Sequence, residues 1–253
     1  MPTFIQLNTS LLASTLRGWR GTVNRHAART LPEKPLELYE FEACPFCRLV
    51  REALTELDLD AMIYPCPKGG TRFRPRVKEI GGRMQVPFLV DPNTGRTLYE
   101  SDSIIRYLNT TYGGSVPESR GLRRKLALAG GMAAAAARGG RGHSVRPSKA
   151  PAEPLELYSF ESSPYSRLAR EALCELELPY LLHNGGKARL TDMGPAFVRD
   201  RLFHAQPDTS RNRAALQQRT GHVQFPYLID PNTRTEMFES SAIVRYLDHE
   251  YGK

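Results

Sequence analysis

The sequence predicts an α/β protein in which one small domain occurs twice. Residues 35–59 return as residues 154–178 with 17 of 25 positions identical, and residues 86–94 return as residues 225–233. Within each copy, short alternating or apolar runs typical of strands give way to stretches with helical periodicity. Two domains with helices packed on a mixed sheet follow from this order.

Each element of the first copy has its own signal. Residues 36–41 alternate as a strand, and residues 45–57 place their apolar side chains on one helical face. Residues 61–66 form a second strand, and the basic, glycine-rich residues 67–85 leave room for a short helix. We expect the first half of the domain to be β-α-β-α.

The second half of the copy is shorter. Strands 88–90 and 97–99 are joined by a turn of asparagine, proline and glycine residues, and Ser101 is a good N-cap for a last helix. The predicted order is therefore β-α-β-α-β-β-α. The offset between the copies grows from 119 to 139, which predicts a 20-residue insertion in the second copy between residues 183 and 212.

The positive charge is confined to two segments. The chain has 253 residues and a net charge of +8, yet residues 1–34 and 117–153 alone carry +4 and +6. The predicted domains 35–116 and 154–253 are each close to neutral. We therefore describe 1–34 as a basic leader and 117–153 as a basic linker, and we expect no nucleic-acid partner.

The leader and the linker resemble each other. Each has a helix-prone stretch followed by a basic glycine turn, Arg-Gly-Trp-Arg-Gly at 17–21 and Arg-Gly-Gly-Arg-Gly at 138–142. In the leader, Leu12, Leu16, Trp19 and Val23 recur at helical spacing. In the linker, residues 122–137 read as a helix that Gly130 and Gly131 are able to interrupt.

Packing of these helices across the two domains is the favoured interpretation. Peripheral contact with an anionic membrane through the basic segments is the alternative. No apolar run is long enough to span a bilayer, and the four dispersed cysteines fit a reducing compartment. We expect a cytoplasmic protein, or a plastid-stromal one if residues 1–34 are a transit peptide.

Cys44-Pro45-Phe46-Cys47 stands at a strand-to-helix junction. The first cysteine of such a pair lies beside the unpaired N–H groups and the positive end of the helix dipole, which favour the nucleophilic thiolate. Cys47, one turn later, is placed to resolve a mixed disulfide. A zinc site is the alternative, but the sequence has no second pair of ligands at metal-binding spacing, so we expect no metal.

These features together resemble the thioredoxin fold. Cys-Pro-Phe-Cys, Val86-Pro87 before the third strand and Glu100-Ser101 before the last helix occur in the order found in glutaredoxins and in the N-terminal domain of glutathione S-transferases. The chain resembles proteins with two such domains in tandem. The fold class implied is α/β, with two tandem thioredoxin-like domains of the glutathione S-transferase N-terminal type joined by the basic helical linker.

The resemblance implies a glutathione site. The proline matching Pro87 is cis in that family, and the backbone of the residue matching Val86 pairs with the cysteinyl part of glutathione. The residues matching Glu100 and Ser101 hold the γ-glutamyl end. The glycyl carboxylate needs a cation, for which Arg48, Lys68 and Arg72 are candidates, and Phe46 belongs to the same site.

The second copy keeps only part of this pattern. Ser163-Pro164-Tyr165-Ser166 replaces the cysteine pair, so disulfide exchange is impossible there. Phe225-Pro226 and Glu239-Ser240 remain. The resemblance therefore implies a domain that binds glutathione or a similar ligand without redox chemistry; a purely structural copy is the alternative. The candidate ligand-binding residues are Ser163, Phe225, Pro226, Glu239 and Ser240.

The predicted function is glutathione-dependent thiol–disulfide exchange in the first domain. Cys44 is the predicted nucleophile, and glutathione or Cys47 resolves its adduct. The partners are glutathione and a disulfide or electrophilic substrate. The alternatives are a glutathione transferase-like enzyme, a non-enzymatic module that binds glutathione or a partner, and an iron–sulfur carrier.

Overall fold

One mixed sheet runs through the protein. The computed structural model describes residues 4–24, 26–114, 121–188 and 210–253. In this part of the chain eight strands form a single sheet in the order β4-β3-β1-β2-β6-β5-β7-β8. The strands are β1 Leu36–Glu40, β2 Ala61–Pro65, β3 Phe88–Asp91, β4 Arg96–Tyr99, β5 Leu155–Ser159, β6 Tyr180–Asn184, β7 Tyr227–Asp230 and β8 Thr235–Phe238.

Each repeat contributes one half of the sheet with the same topology. β1 pairs in parallel with β2 and antiparallel with β3, and β4 lies outside β3. β5, β6, β7 and β8 repeat this arrangement. The predicted fold class of two tandem thioredoxin-like domains is confirmed.

The two halves join through equivalent strands. β2 pairs antiparallel with β6, with Ala61 opposite Leu182 and Ile63 opposite Tyr180. Pairing covers an edge that each domain would otherwise leave open. Because the same strand of each repeat meets its counterpart, an approximate two-fold axis relates the halves, as in an isologous dimer within one chain.

The helices of the described residues cover this sheet. The predicted helices of the first domain are present, and the one expected over residues 45–57 ends one residue earlier, at Glu56. The predicted N-cap is off by one position, because Ser101 is the first helical residue and Glu100 is the cap. The α-helices are α1 Phe4–Thr15, α2 Pro45–Glu56, α3 Arg74–Gly81, α4 Ser101–Leu108, α5 Leu122–Ala137, α6 Pro164–Glu175, α7 Arg211–Thr220 and α8 Ser240–Tyr251, and a π-helical turn, Asn109–Gly113, follows α4.

The leader and linker helices each pack on the domain that does not directly follow them in the chain. α1 packs on α6 of the second domain, α5 packs on α2 of the first, and α1 and α5 pack on each other. The Ser10 hydroxyl donates to the carbonyl of Pro164 at 2.8 Å, and the Ser14 hydroxyl donates to that of Ser162 at 2.7 Å. Packing across the domains, the favoured interpretation of both segments, is what the structure shows.

The predicted apolar stripe of the leader is wrong. α1 ends at Thr15, and Leu12 and Leu16 remain 50% and 43% exposed. The buried face instead carries Ser10, Ala13 and Ser14. Small polar side chains face the second domain because the hydroxyls of Ser10 and Ser14 donate hydrogen bonds to its backbone carbonyls.

The proposed interruption of the linker helix at its glycine pair is also wrong. α5 runs unbroken from residue 122 to residue 137. A Cβ atom on Gly130 would lie 3.1 Å from the Leu16 carbonyl oxygen, and one on Gly131 would lie 3.3 Å from Pro45. The glycines allow close helix packing, and this tertiary contact outweighs their low helix propensity.

Buried ion pairs connect the domains reciprocally. Arg51 contacts Glu161 at 2.8 Å, and its repeat counterpart Arg170 contacts Glu42 at 3.0 Å. These side chains are almost completely buried. Buried charges are tolerated only when paired, so the network ties the orientation of one domain to that of the other.

Two further expectations concern membrane-spanning helices and the insertion in the second copy. No helix among the described residues is long and apolar enough to cross a membrane. The predicted insertion between residues 183 and 212 lies largely outside the described residues.

Candidate functional site

Strand register brings the three predicted motifs of the first domain to one end of the sheet. Tyr39 near the end of β1 lies opposite Phe88 at the start of β3, and Phe88 lies opposite Tyr99 at the end of β4. Cys44 follows β1, Val86-Pro87 precedes β3, and Glu100-Ser101 follows β4. The antiparallel register therefore places all three motifs at the same edge.

Cys44 is the N-cap of α2. Its sulfur accepts the backbone N–H of Cys47 at 3.2 Å, and Pro45 occupies the first helical turn, where its missing N–H leaves no bond unmade. A side-chain hydrogen bond from Cys47 lowers the pKa of Cys44, with further help from the backbone N–H groups, against the opposing effect of burial. The geometry matches that of a thiolate stabilised at a helix start.

The other three cysteines lie in environments that favour the neutral thiol. Burial, followed by the neighbouring Cys44, raises the pKa of Cys47 well above its ordinary value. Burial also raises the pKa values of Cys66 and Cys174. The Cys174 sulfur is held between the Glu42 backbone N–H and the Gly142 carbonyl. Cys44 is therefore the cysteine whose surroundings favour ionisation.

Val86 and Pro87 are joined by a cis peptide bond, as the family resemblance implies. Pro87 is buried and Val86 is partly exposed. Phe46, inside the cysteine motif, is 41% exposed. An exposed aromatic ring at the start of α2 offers an apolar surface beside the thiol.

Glu100 and Ser101 form a strained junction before α4. Glu100 has a φ of 67°, a left-handed conformation that non-glycine residues seldom adopt, and it accepts a hydrogen bond from the Gln85 amide at 2.5 Å. The Ser101 hydroxyl is buried and has no hydrogen-bond partner among the described residues. A buried, unsatisfied hydroxyl at a helix start can bind a carboxylate.

The three candidate cations lie in different settings. Arg48 is buried, contacts Glu52 and Glu161, and donates to the Ala13 carbonyl. Arg72 donates to the carbonyls of Leu176, Glu177 and Ser148 at the domain boundary. Lys68 is exposed, and its backbone pairs with the linker. Of the three, Lys68 has the side chain most accessible to a ligand.

Linker helix α5 covers the thiol, which the sequence did not indicate. Cys44 is only 4% exposed and lines a cavity of about 10 Å³, room for about one water molecule. Gly131, Ala134 and Ala135 of α5 form one wall. The run of small residues was the available signal, because small side chains mark helix faces that approach another backbone closely.

The family assignment comes from comparison with known proteins. The family described as glutathione S-transferase, N-terminal domain, matches residues 38–116 and again residues 157–253. The chain belongs to this family, in two copies. No curated protein sequence matches it.

Two solved structures similar to the chain are glutathione transferases. One is BmGSTD1 of Bombyx mori, with 27% identity over 38% of this chain and 45% of that chain, and a TM-score of 0.29. The other is the trimeric TDR1 of Leishmania, with 16% identity over 87% of this chain and 68% of that chain, and a TM-score of 0.28. The present chain thus spans less than half the length of the Bombyx mori transferase.

The second glutathione S-transferase N-terminal domain keeps the frame of the site. Phe225-Pro226 is also cis, and Glu239 has a φ of 69° and accepts from the Gln224 amide. Ser240 is buried at the start of α8. The backbone features of the first site are therefore all repeated.

The start of α6 differs from the start of α2 in its side chains and in the helix that lies over it. The Ser163 hydroxyl accepts the Ser166 backbone N–H at 3.1 Å, as the Cys44 sulfur accepts that of Cys47. Ser163 is 3% exposed beneath α1. Arg213 stacks over Phe225 at 4.8 Å. Nothing at the start of α6 can exchange disulfides, since both cysteine positions hold serine.

Proposed function

We propose that the first domain catalyses glutathione-dependent thiol–disulfide exchange through Cys44. The observation that carries this proposal is the hydrogen bonding of the Cys44 sulfur at the start of α2, which lowers its pKa in a family defined by glutathione chemistry. Val86, Pro87, Glu100 and Ser101 bind glutathione at the adjoining sheet edge, and Lys68 supplies the cation for its glycyl carboxylate.

The reaction proceeds in two exchanges. The Cys44 thiolate attacks the glutathione sulfur of a mixed disulfide, forms a Cys44–glutathione disulfide and releases the substrate thiolate, which takes a proton from solvent. The thiolate of a second glutathione then attacks the glutathione sulfur of this adduct. Glutathione disulfide leaves and the Cys44 thiolate is regenerated, so one glutathione is oxidised for each substrate thiol formed.

Cys47 serves a separate, dithiol route. Its thiolate attacks the Cys44 sulfur of the adduct, closes an intramolecular disulfide and releases glutathione, which takes up a proton. Two external glutathione molecules then reduce this disulfide and leave as glutathione disulfide. The raised pKa of Cys47 makes this route slower than direct attack by glutathione near neutral pH.

A glutathione transferase-like activity is the second candidate. Cys44 is nearly inaccessible beneath α5, so the thiol of a bound glutathione meets an external electrophile more readily than Cys44 does. In this case the unpaired N–H groups at the start of α2 stabilise the glutathione thiolate, and Cys44 forms no covalent adduct.

Paired assays on three proteins separate these candidates. The assays are reduction of a glutathione mixed disulfide and conjugation of glutathione to 1-chloro-2,4-dinitrobenzene, run on the wild type, Cys44→Ser and Cys47→Ser. We expect Cys44→Ser to lose mixed-disulfide reduction by at least about 100-fold and Cys47→Ser to retain it. In the wild type, the pH dependence of Cys44 alkylation should give a pKa below the roughly 8.5 of a free thiol.

The outcomes are distinct. Conjugation without disulfide reduction would replace the oxidoreductase proposal with the transferase. Binding of glutathione without either turnover would identify a binding module. Full disulfide reduction by Cys44→Ser would remove Cys44 from the chemistry altogether.

A further inference from the structure

A second, larger cavity lies beside the cavity of Cys44. It has a volume of about 420 Å³ and lies between α6, α8 and the segment that follows α5. We call it the α6–α8 cleft. Its apolar floor consists of Leu168, Ala172 and Val244, and charged side chains line its rim. This volume suits a small organic molecule.

The charges of the cleft leave positive groups available. Its three carboxylates are already paired: Glu171 with Arg138 at 2.6 Å, and both Glu175 and Asp248 with Arg146, at 2.9 and 2.8 Å. Arg141 and Arg245 also line the cleft, and neither has an ion pair or side-chain hydrogen bond among the described residues. The arrangement is complementary to an anion with an apolar body.

The cleft adjoins the reactive thiol. Arg141 and Glu171 line both the cleft and the small cavity of Cys44. Glu171 is buried and fixed by Arg138, whereas Arg141 is exposed. The Arg141 side chain is therefore the movable part of the wall between the two spaces.

The repeats differ at this position. Arg20 is the counterpart of Arg141 in the leader, and it donates three hydrogen bonds to Glu56 at 2.9 to 3.1 Å. The counterpart of Glu56 is Glu175, which is occupied by Arg146 and by the backbone N–H of Gly142. Arg141, which lines the cavity of Cys44, is thereby left without an ion pair among the described residues. Arg20, in the turn that contacts the serine motif of the second domain, is instead paired with Glu56 of the first domain.

From this asymmetry we propose that the α6–α8 cleft binds the acceptor part of the disulfide substrate, and that this part is an apolar group with a carboxylate. Arg141 and Arg245 bind the carboxylate, and Leu168, Ala172 and Val244 contact the apolar body. The glutathione part of the mixed disulfide lies in the site at Pro87 and Ser101. The proposal rests on the disulfide exchange proposed above and adds no bond-forming step to it.

A matched pair of substrates tests the cleft. The mixed disulfides of glutathione with 4-mercaptobenzoic acid and with 4-mercaptobenzyl alcohol have similar shapes, but only the first has a carboxylate on the acceptor. We expect the wild-type chain to prefer the benzoate by about tenfold in kcat/KM, because a charge-assisted hydrogen bond contributes that much at a partly exposed site. Arg141→Gln should remove most of this preference, chiefly through KM, and leave the alcohol unaffected.

The control is the repeat counterpart. Arg20→Gln should leave the ratio between the two substrates unchanged. In the wild type, 4-phenylbutyrate should compete with the benzoate disulfide but not with free glutathione. Competition with glutathione instead would assign the carboxylate site to glutathione itself and overturn the proposal.

The remaining outcomes separate this proposal from the proposed function. No turnover of either disulfide by the wild type would end the exchange chemistry itself. If Arg141→Gln lowers kcat/KM equally for both disulfides while the wild type still catalyses exchange, the proposed role of the cleft is refuted and the exchange chemistry is not. High salt should also weaken the preference, since exposed charge pairs are screened.

Discussion

At the residue scale, two atoms define the site of the first domain. Hydrogen bonds at the start of α2 lower the pKa of Cys44, and the Ser101 hydroxyl is buried at the start of α4 with no partner among the described residues. A buried hydroxyl without a hydrogen bond costs free energy. Its position at the predicted γ-glutamyl end supports a role in binding.

Replacement of Ser101 by alanine tests that role. We expect Ser101→Ala to raise the KM for glutathione by about tenfold, since a hydrogen bond to a charged group contributes about 1.5–3 kcal/mol. Stability should be unchanged or slightly higher, because the variant removes an unsatisfied polar group. Steady-state kinetics and thermal unfolding check the two effects.

The control is Ser240→Ala, the same change in the second domain. It should leave first-domain turnover as it is. An unchanged KM in Ser101→Ala, with normal folding, would show that the hydroxyl does not contact glutathione.

At the element scale, the turns after α1 and α5 fix where these helices lie. Gly21 and Gly142 both have positive φ, and both lie against a glutamate of the buried network. A Cβ on Gly142 would lie 2.7 Å from the Glu42 Cβ, and one on Gly21 would lie 2.8 Å from that of Glu161. Only glycine allows this approach.

Gly142→Ala should therefore destabilise the protein more than Gly139→Ala. Both positions have positive φ, but a Cβ on Gly139 meets nothing within 4 Å. We expect a loss of about 1 kcal/mol at Gly139 from backbone strain, and about 2–4 kcal/mol at Gly142, where the clash with Glu42 adds to it. Urea unfolding of both variants gives the comparison. Equal losses in the free energy of unfolding would mean that Glu42 moves aside without cost when a Cβ is added at Gly142.

At the scale of the whole molecule, one histidine bridges the two domains. His183 on β6 contacts Glu156 of its own domain at 2.8 Å and Asp60, just before β2 of the first domain, at 3.5 Å. Burial favours the neutral ring, but hydrogen bonds with Asp60 and Glu156 outweigh it and raise the pKa of His183 to about 9. The protonated ring thus stabilises the contact between the two halves of the sheet.

The sign of the pH dependence follows from that shift. A group whose pKa is higher in the folded state adds stability that is complete below its ordinary value of about 6.5 and disappears as pH rises through 9. We expect His183→Gln to lower the free energy of unfolding by about 2 kcal/mol at pH 6 and by much less above pH 9. His249→Gln, a change at an exposed histidine, is the control, and a pH-independent loss in His183→Gln would assign the effect to packing.

The sequence by itself determined the repeated domain, the order of its elements and the motifs of its site. These properties depend on local patterns: alternation in strands, apolar spacing in helices, Pro45 and Ser101 at helix starts, and identical residues at a fixed offset. The cysteine and serine motifs are also local, so the chemical difference between the two copies can be predicted from the sequence.

Only the tertiary structure decided how the copies combine. Joining of β2 to β6, exchange of α1 and α5 between domains, burial of Cys44 beneath α5 and the freedom of Arg141 all depend on contacts between residues far apart in the chain. Arg48 directly follows the cysteine motif and Arg141 lies far along the chain, yet both line the cavity of Cys44. Arg48 is paired with buried glutamates, whereas Arg141 faces an open cleft. Local periodicity specifies which face of an element is buried, whereas which partner buries it is specified by packing and charge pairing across the whole molecule.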